Sequence, residues 1–230
     1  MSTTLVFLHT VSSLVEPFND LSTEILPADV EILHIADEML LKIVLAQGGL
    51  SPFIYRRVAE HVIAAEQAGA GGVLLTCSSI APCVDTARLM VNIPVLRVDE
   101  PMVDRAISMG TRIGVAATVP TTLKPTTDLV VARAGLMGKE VDIDARVCQN
   151  AYDALFAGDT DTHDRIVRDT LQALVARNDV VLLAQASMAR VADTIPAKDQ
   201  IVPVLSSPRL ALERLRDILA AARHPQPVGS

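Results

Sequence analysis

The chain repeats itself. Laid over itself so that Cys77 falls on Gln185, the segment Val73–Thr86 (VLLTCSSIAPCVDT) covers Val181–Thr194 (VLLAQASMARVADT), with Ser79 on Ser187, Asp85 on Asp193 and Thr86 on Thr194. The same offset lays His9–Leu21 (HTVSSLVEPFNDL) over Ala117–Leu129 (ATVPTTLKPTTDL), so that Thr10 meets Thr118, Pro17 meets Pro125 and Asp20 meets Asp128. One residue of slip aligns the Pro-Val-Leu at Pro94 with that at Pro203. Any two α/β units share Leu/Val strands before helices, but the polar matches beyond the strands go further and mark a duplicated unit. The expected organisation is a first half over 1–100, a second half over 101–207, a C-terminal helix over about 208–222 belonging with the first half, and a loose, proline-containing tail over 223–230.

Half of the 230 residues are hydrophobic and 20% are charged, enough apolar surface to offset chain entropy and exclude a disordered chain. A net charge of −7 without a basic cluster argues against nucleic acid, and 3% aromatics with no Trp leaves few stacking platforms for bases. The longest apolar run, Val62–Leu75, is broken by Glu66, Gln67 and glycines, short of the roughly 20 residues of a membrane span. The N-terminus shows no basic region or cleavage site. Cys77, Cys83 and Cys148 are odd in number and lack zinc-ligand spacing, which points to a reduced cytoplasmic setting, no disulfide framework and no metal.

Short β-branched or Leu-rich runs predict strands at Thr4–Leu8, Val30–Ile35, Val73–Leu75 and Val95–Arg97, then at Ile113–Ala116, Val141–Ile143, Val180–Leu183 and Val202–Leu205. Helical periodicity separates them, as in Pro52–Ala70 and Asp161–Arg177. Strand alternating with helix predicts parallel sheets flanked by helices, here two pseudo-symmetric ones.

In such sheets ligands bind beyond the carboxyl ends of the strands. The residues there are rich in hydroxyls: Thr10, Ser12 and Ser13 after the first strand, Ser78 and Ser79 beside Cys77, Thr118 and Thr121 in the second half, and Ser187 after Gln185 and Ala186. Each hydroxyl is read either as a helix N-cap or, repeated at related loops, as part of an anion cradle of helix-start N–H groups. Cys77 is placed to end a buried strand and begin a helix, where a thiol pKa falls below about 8.5; the alternative is a buried small hydrophobe. Cys83 and Cys148 read as packing. His9 stands at a strand end within reach of the site; His34, His61, His163 and His224 read as surface or support. Asp37 and Glu100 read as helix N-terminal charges or as groups that set substrate preference. Arg56 and Arg57 read first as solvated helix charges.

A strand running into LLTCSS (Leu74–Ser79), a related one into LLAQASM (Leu182–Met188) and the loop GVAATVPTT (Gly114–Thr122) resemble the aspartate/glutamate/hydantoin racemase superfamily over nearly the whole chain. The resemblance implies two flavodoxin-like halves facing across a cleft, a homodimer or higher homo-oligomer, no cofactor, and a small carboxylate-bearing substrate. It implies two cysteines flanking the substrate α-carbon, one from each half. Relatives such as arylmalonate decarboxylase and maleate isomerase use those positions differently. Cys77 occupies the first position; Gln185 occupies the second and is neither acid nor base in water, though its amide can donate to a substrate oxygen. The resemblance therefore implies racemase-like isomerase chemistry at Cys77, by proton transfer or nucleophilic attack. The alternatives are a one-cysteine lyase such as a decarboxylase, and a non-catalytic carboxylate-binding protein.

Overall fold

The computed structural model describes residues 3–194 and 202–223. His224 and the rest of the expected tail lie outside the described residues. Two four-stranded parallel sheets form the core. The first contains β1 (Thr3–His9), β2 (Val30–Ala36), β3 (Gly72–Leu75) and β4 (Val95–Arg97) in the order β2-β1-β3-β4. The second contains β5 (Arg112–Ala117), β6 (Asp142–Val147), β7 (Val180–Leu183) and β8 (Val204–Ser206) in the order β6-β5-β7-β8. The duplication reaches down to register: Phe7 pairs with Leu74 and Leu8 with Leu75, and the corresponding Val115 and Ala116 pair with Leu182 and Leu183.

Ten helices connect the strands among the described residues: α1 (Val15–Ile25), α2 (Glu38–Gln47), α3 (Pro52–Gln67), α4 (Cys83–Arg88), α5 (Glu100–Met109), α6 (Pro120–Leu136), α7 (Ala151–Phe156), α8 (Thr160–Val175), α9 (Ala189–Asp193) and α10 (Ser207–Arg223). None of them is long and apolar enough to cross a membrane. Successive strand residues face opposite sides of each sheet. Val6, Leu8, Val73 and Leu75 therefore pack on one side against Ile54, Val58 and Val62 of α3. Leu5, Phe7 and Leu74 pack on the other against Phe18 of α1 and Leu212 and Leu215 of α10.

The helix that follows the last strand of each sheet covers the other sheet. Helix α5 follows β4 yet lays Met102, Val103, Ala106 and Ile107 on Ile113, Val115 and Leu182 of the second sheet. Helix α10 follows β8 yet covers the first. Each buried Leu or Val in this exchange contributes about 1.5–3 kcal/mol, so the two sheets are tied by hydrophobic burial rather than by a linker. Ion pairs Arg209–Glu24 and Arg223–Asp29, both 2.8 Å, add exposed links along α10.

Candidate active site

In each sheet the chain leaves the two middle strands in opposite directions, β1 toward β2 and β3 toward β4, which opens a crevice at their carboxyl ends. The two crevices share one cleft of about 710 Å³. The first half contributes Thr10, Ser13, Thr76, Cys77, Ser78 and Ser79; the second contributes Val119, Thr122, Gln185, Ala186 and Ser187. The halves meet at its floor, where the Ser79 and Thr122 hydroxyls lie 2.8 Å apart. A second groove, of about 560 Å³, lies between α3 and α4 and is lined by helix residues such as Tyr55, Arg56 and Thr86, with Met90 from the turn after α4 and no strand-end group.

Cys77 follows β3, whose residues Val73, Leu74 and Leu75 are buried. The Thr76 N–H donates to the Leu8 carbonyl (3.0 Å), which carries the sheet pairing up to the residue before the thiol. Cys77 itself is half-buried. It does not begin a helix: residues 78–82 form overlapping turns, with Ile80 N–H on Cys77 O (3.2 Å) and Ala81 N–H on Ser78 O (3.3 Å), and α4 starts at Cys83. Short turn bonds replace the expected dipole because Pro82 cannot donate to continue a helical ladder.

The turns leave donors free. The backbone N–H groups of Cys77, Ser78 and Ser79 have no acceptor among the described residues, and neither do those of Gln185, Ala186 and Ser187 at the duplicated position. Ser78 and Ser79 are buried, where an N–H is rarely left unpaired, and consecutive free N–H groups form a concavity for anions. The Thr10 hydroxyl lines the same cleft, is buried, and also lacks a partner.

Gln185 is held by Thr118. Its Oε1 accepts from the Thr118 N–H (2.5 Å) and hydroxyl (2.9 Å). A backbone N–H can only donate, so the oxygen must face Thr118, and the NH2 group is left without a protein acceptor among the described residues. Thr118 thus supports the cleft from behind instead of lining it.

Four other singled-out residues have protein partners or sit behind the wall. The Ser12 N–H and hydroxyl donate to Glu38 (2.9 and 2.5 Å). The Thr121 hydroxyl is buried without a partner outside the cleft lining, and its neighbour Thr122 faces the cleft. Asp37 is buried under Arg57 and His61 (2.8 Å). Burial opposes the Asp37 charge, but the hydrogen bonds from His61 and Arg57 prevail and hold its carboxyl below the usual range; Arg57 is therefore an ion-pair partner. Glu100 lies 3.4 Å from Arg88. No Ser or Thr side chain caps the helices that open at Val15, Pro120 or Ala189, so the strand-end hydroxyls are not held as N-caps. Cys83 and Cys148 are buried.

The outer cleft was not singled out from sequence. Helix α2 supplies Leu41, Lys42 and Leu45; α7 supplies Tyr152, Leu155 and Phe156. Phe156 is 85% exposed at the rim. Helix α7 is short, framed by left-handed backbone at Asn150 (φ 64°) and Gly158 (φ 81°); the Asn…Gly frame around an i, i+3, i+4 apolar triplet was the available signal. Among the described residues, no group of three or more His, Cys, Asp or Glu is placed to hold a metal ion.

Among solved structures, a glutamate racemase from Francisella tularensis subsp. tularensis SCHU S4 in complex with D-glutamate is similar with a TM-score of 0.74 at 15% identity, over 99% of this chain and 84% of that one. An allantoin racemase from Klebsiella pneumoniae gives 0.70 at 17%, over 96% and 89%. Picrophilus torridus aspartate racemase gives 0.68 at 13%, over 94% and 95%. At these identities the likeness is one of fold. No curated protein sequence matches the chain. The family profile described as Asp/Glu/Hydantoin racemase matches residues 28–215, and the chain belongs to that family.

Proposed function

We propose that the protein is a cofactor-independent isomerase that moves a proton, through Cys77 alone, at a carbon next to the carboxylate of a small substrate. The observation that carries this reading is the pair of unpartnered N–H triplets, 77–79 and 185–187, around one cleft thiol. They bind the substrate oxygens together with the Thr10 hydroxyl and the Gln185 NH2. The Cys77 thiolate takes the α-proton; the C–H electron pair moves into the carboxylate as an enediolate, whose growing charge the fixed donors stabilise. An amide N–H is not acidic, so Gln185 cannot return a proton on the opposite face. The Cys77 thiol gives it back on its own face: at the same carbon this only regenerates the substrate with its proton exchanged, and at a conjugated carbon it shifts a double bond, which is the net isomerisation.

The apolar outer cleft (Leu41, Leu45, Tyr152, Leu155) suits an apolar or aromatic substituent, and Lys42 and Glu38 place one charge of each sign in the same lining. That apolar wall also favours a second reading, decarboxylation of a substrate with two carboxylates, in which the one against the wall is lost as carbon dioxide and Cys77 protonates the carbon. The test is product analysis with unsaturated carboxylates, 2-substituted malonates, amino acids and hydantoins. Double-bond migration supports isomerisation, and carbon dioxide release supports the second reading. Turnover unaffected by Cys77→Ser would overturn both.

A further inference from the structure

Four side chains join the cleft to the surface through hydrogen bonds. Oγ1 of Thr76, a residue of the cleft lining, lies 2.9 Å from His9 Nδ1; His9 Nε2 lies 2.8 Å from His34 Nδ1; His34 Nε2 lies 2.8 Å from Oδ1 of the exposed Asn19 on α1. His9 is fully buried. Its ring stacks on His34 with centroids 5.1 Å apart and a 24° interplanar angle, and the buried Phe7 and Phe18 rings close around it edge-on. Two imidazoles linked nitrogen to nitrogen in an aromatic sleeve have no packing advantage over apolar residues, and a buried polar chain is costly unless every member is paired.

The polarity of the hydrogen-bonded chain is set by a fixed acceptor. The Thr76 hydroxyl also lies 3.0 Å from the Leu8 carbonyl, which can only accept. Its hydrogen therefore points there, His9 Nδ1 carries a hydrogen and donates to Thr76 Oγ1, and His9 Nε2 accepts from His34 Nδ1–H. Burial, with His34 alongside, holds His9 down at about 4, so its resting ring is neutral and can pass a proton in at one nitrogen and out at the other. In the resting ring His34 Nε2 is an acceptor, which the Asn19 amide meets by turning its NH2 inward; with Oδ1 forward, as here, Asn19 suits a His34 ring that has taken up a proton and donates at both nitrogens.

We infer that Thr76, His9, His34 and Asn19 form a proton relay between solvent and the cleft. Inward, a solvent proton binds His34 Nε2; the His34 Nδ1 hydrogen moves to His9 Nε2; the His9 Nδ1 hydrogen moves to Thr76 Oγ1; and the Thr76 hydrogen leaves the Leu8 carbonyl for a basic group in the cleft. Each ring ends neutral with its hydrogen on the other nitrogen, and the outward transfer restores it. The inference rests on the proposed function in one respect: it identifies the basic group as the Cys77 thiolate or the substrate carbanion. His9 and His34 are then positioning residues that let one thiol exchange its proton with water while substrate closes the cleft.

The relay is measurable without substrate. Nitrogen-15 NMR of the full chain should find His9 protonated at Nδ1, with that ring hydrogen exchanging with D₂O faster than the amides of β1 on either side. His34→Gln, which keeps hydrogen-bonding groups but has no second tautomer, should slow it by about tenfold or more. Slow ring exchange in the native protein, or a rate unchanged in a folded His34→Gln, overturns the relay. Thr76→Val is the second variant: His9 should still exchange quickly, while solvent-deuterium entry into a turned-over substrate falls relative to retention of the substrate's own proton. Unchanged partition in Thr76→Val overturns delivery to the cleft. A native enzyme silent toward every substrate, with fast His9 exchange that His34→Gln slows, overturns the functional reading and leaves the relay supported.

Discussion

Thr118 holds Gln185 by two hydrogen bonds to one oxygen, from its backbone N–H and its hydroxyl. The two residues sit after β5 and β7, and their duplicates, Thr10 and Cys77, sit after β1 and β3. The pair that could have been hydroxyl and thiol is hydroxyl and amide. Where Thr10 keeps its hydroxyl free toward the cleft, Thr118 uses its own to orient the amide.

That difference predicts a gain of function. Gln185→Cys places a thiol at the second position, and with two opposed thiols the substrate should begin to racemise. Chiral chromatography checks this. Thr118→Val, which removes one of two bonds to Gln185, should lower kcat/KM by about tenfold through loss of donor alignment with KM little changed. A Gln185→Leu protein as active as the native one would remove the amide from the mechanism.

The three cysteines should behave differently toward an alkylating reagent. Burial pushes the Cys83 thiol up to about 12 and raises Cys148 too, whereas Cys77 faces the cleft. Iodoacetamide near pH 8 should label Cys77 alone in the folded protein and all three in denaturant, read by peptide mass spectrometry. Equal labelling of Cys83 and Cys77 in the folded protein would contradict the site geometry.

Arg97 and Asp99 form a bidentate pair at 2.9 and 3.0 Å, with Asp99 fully buried. Asp99→Ala leaves the guanidinium buried without its counter-ion and should cost about 3–5 kcal/mol in urea unfolding. Asp99→Ala together with Arg97→Met should recover part of that loss.

His9 makes stability depend on pH in a specific window. Its folded value is depressed to about 4 from 6.5, so its contribution is intact above 6.5 and is lost as pH falls toward 4, because the unfolded chain takes up the proton first. The loss should reach about 2 kcal/mol by about pH 5. Burial lowers His34 in the same direction. Calorimetry should show Tm falling across this window, and His9→Gln should flatten the slope there while leaving the steeper acid loss from paired carboxylates.

Much of the fold was legible in sequence because its middle strands are buried on both faces. β1, β3, β5 and β7 fall within a residue of their expected runs. β6 does not: it is an edge strand whose Asp144 and Arg146 pair on one face at 2.8 Å, so its apolar signal stops at Ile143 while its backbone pairs on to Val147. The duplication pointed to Cys77, Gln185 and the serines beside them, and these residues line the cleft. Thr121, read as a hydroxyl of the loop after β5, lies outside the cleft lining, because α6 begins at Pro120 and its helical phase turns Thr122 inward instead. The two-histidine chain was invisible because His34 lies on β2, and only the pairing of β1 with β2 at Phe7–His34 brings its ring against His9.

The most direct test of the central claim is solvent deuterium entry at the carbon next to the substrate carboxylate, measured by NMR in D₂O for the native protein and Cys77→Ser. One-thiol chemistry predicts deuterium at that carbon or its conjugated neighbour without inversion in the native protein, and its loss by about 10²-fold or more in Cys77→Ser. Deuterium entry that survives Cys77→Ser would contradict it, as would inversion by the native protein, since the first removes the thiol from the chemistry and the second requires an acid on the face that Gln185 occupies.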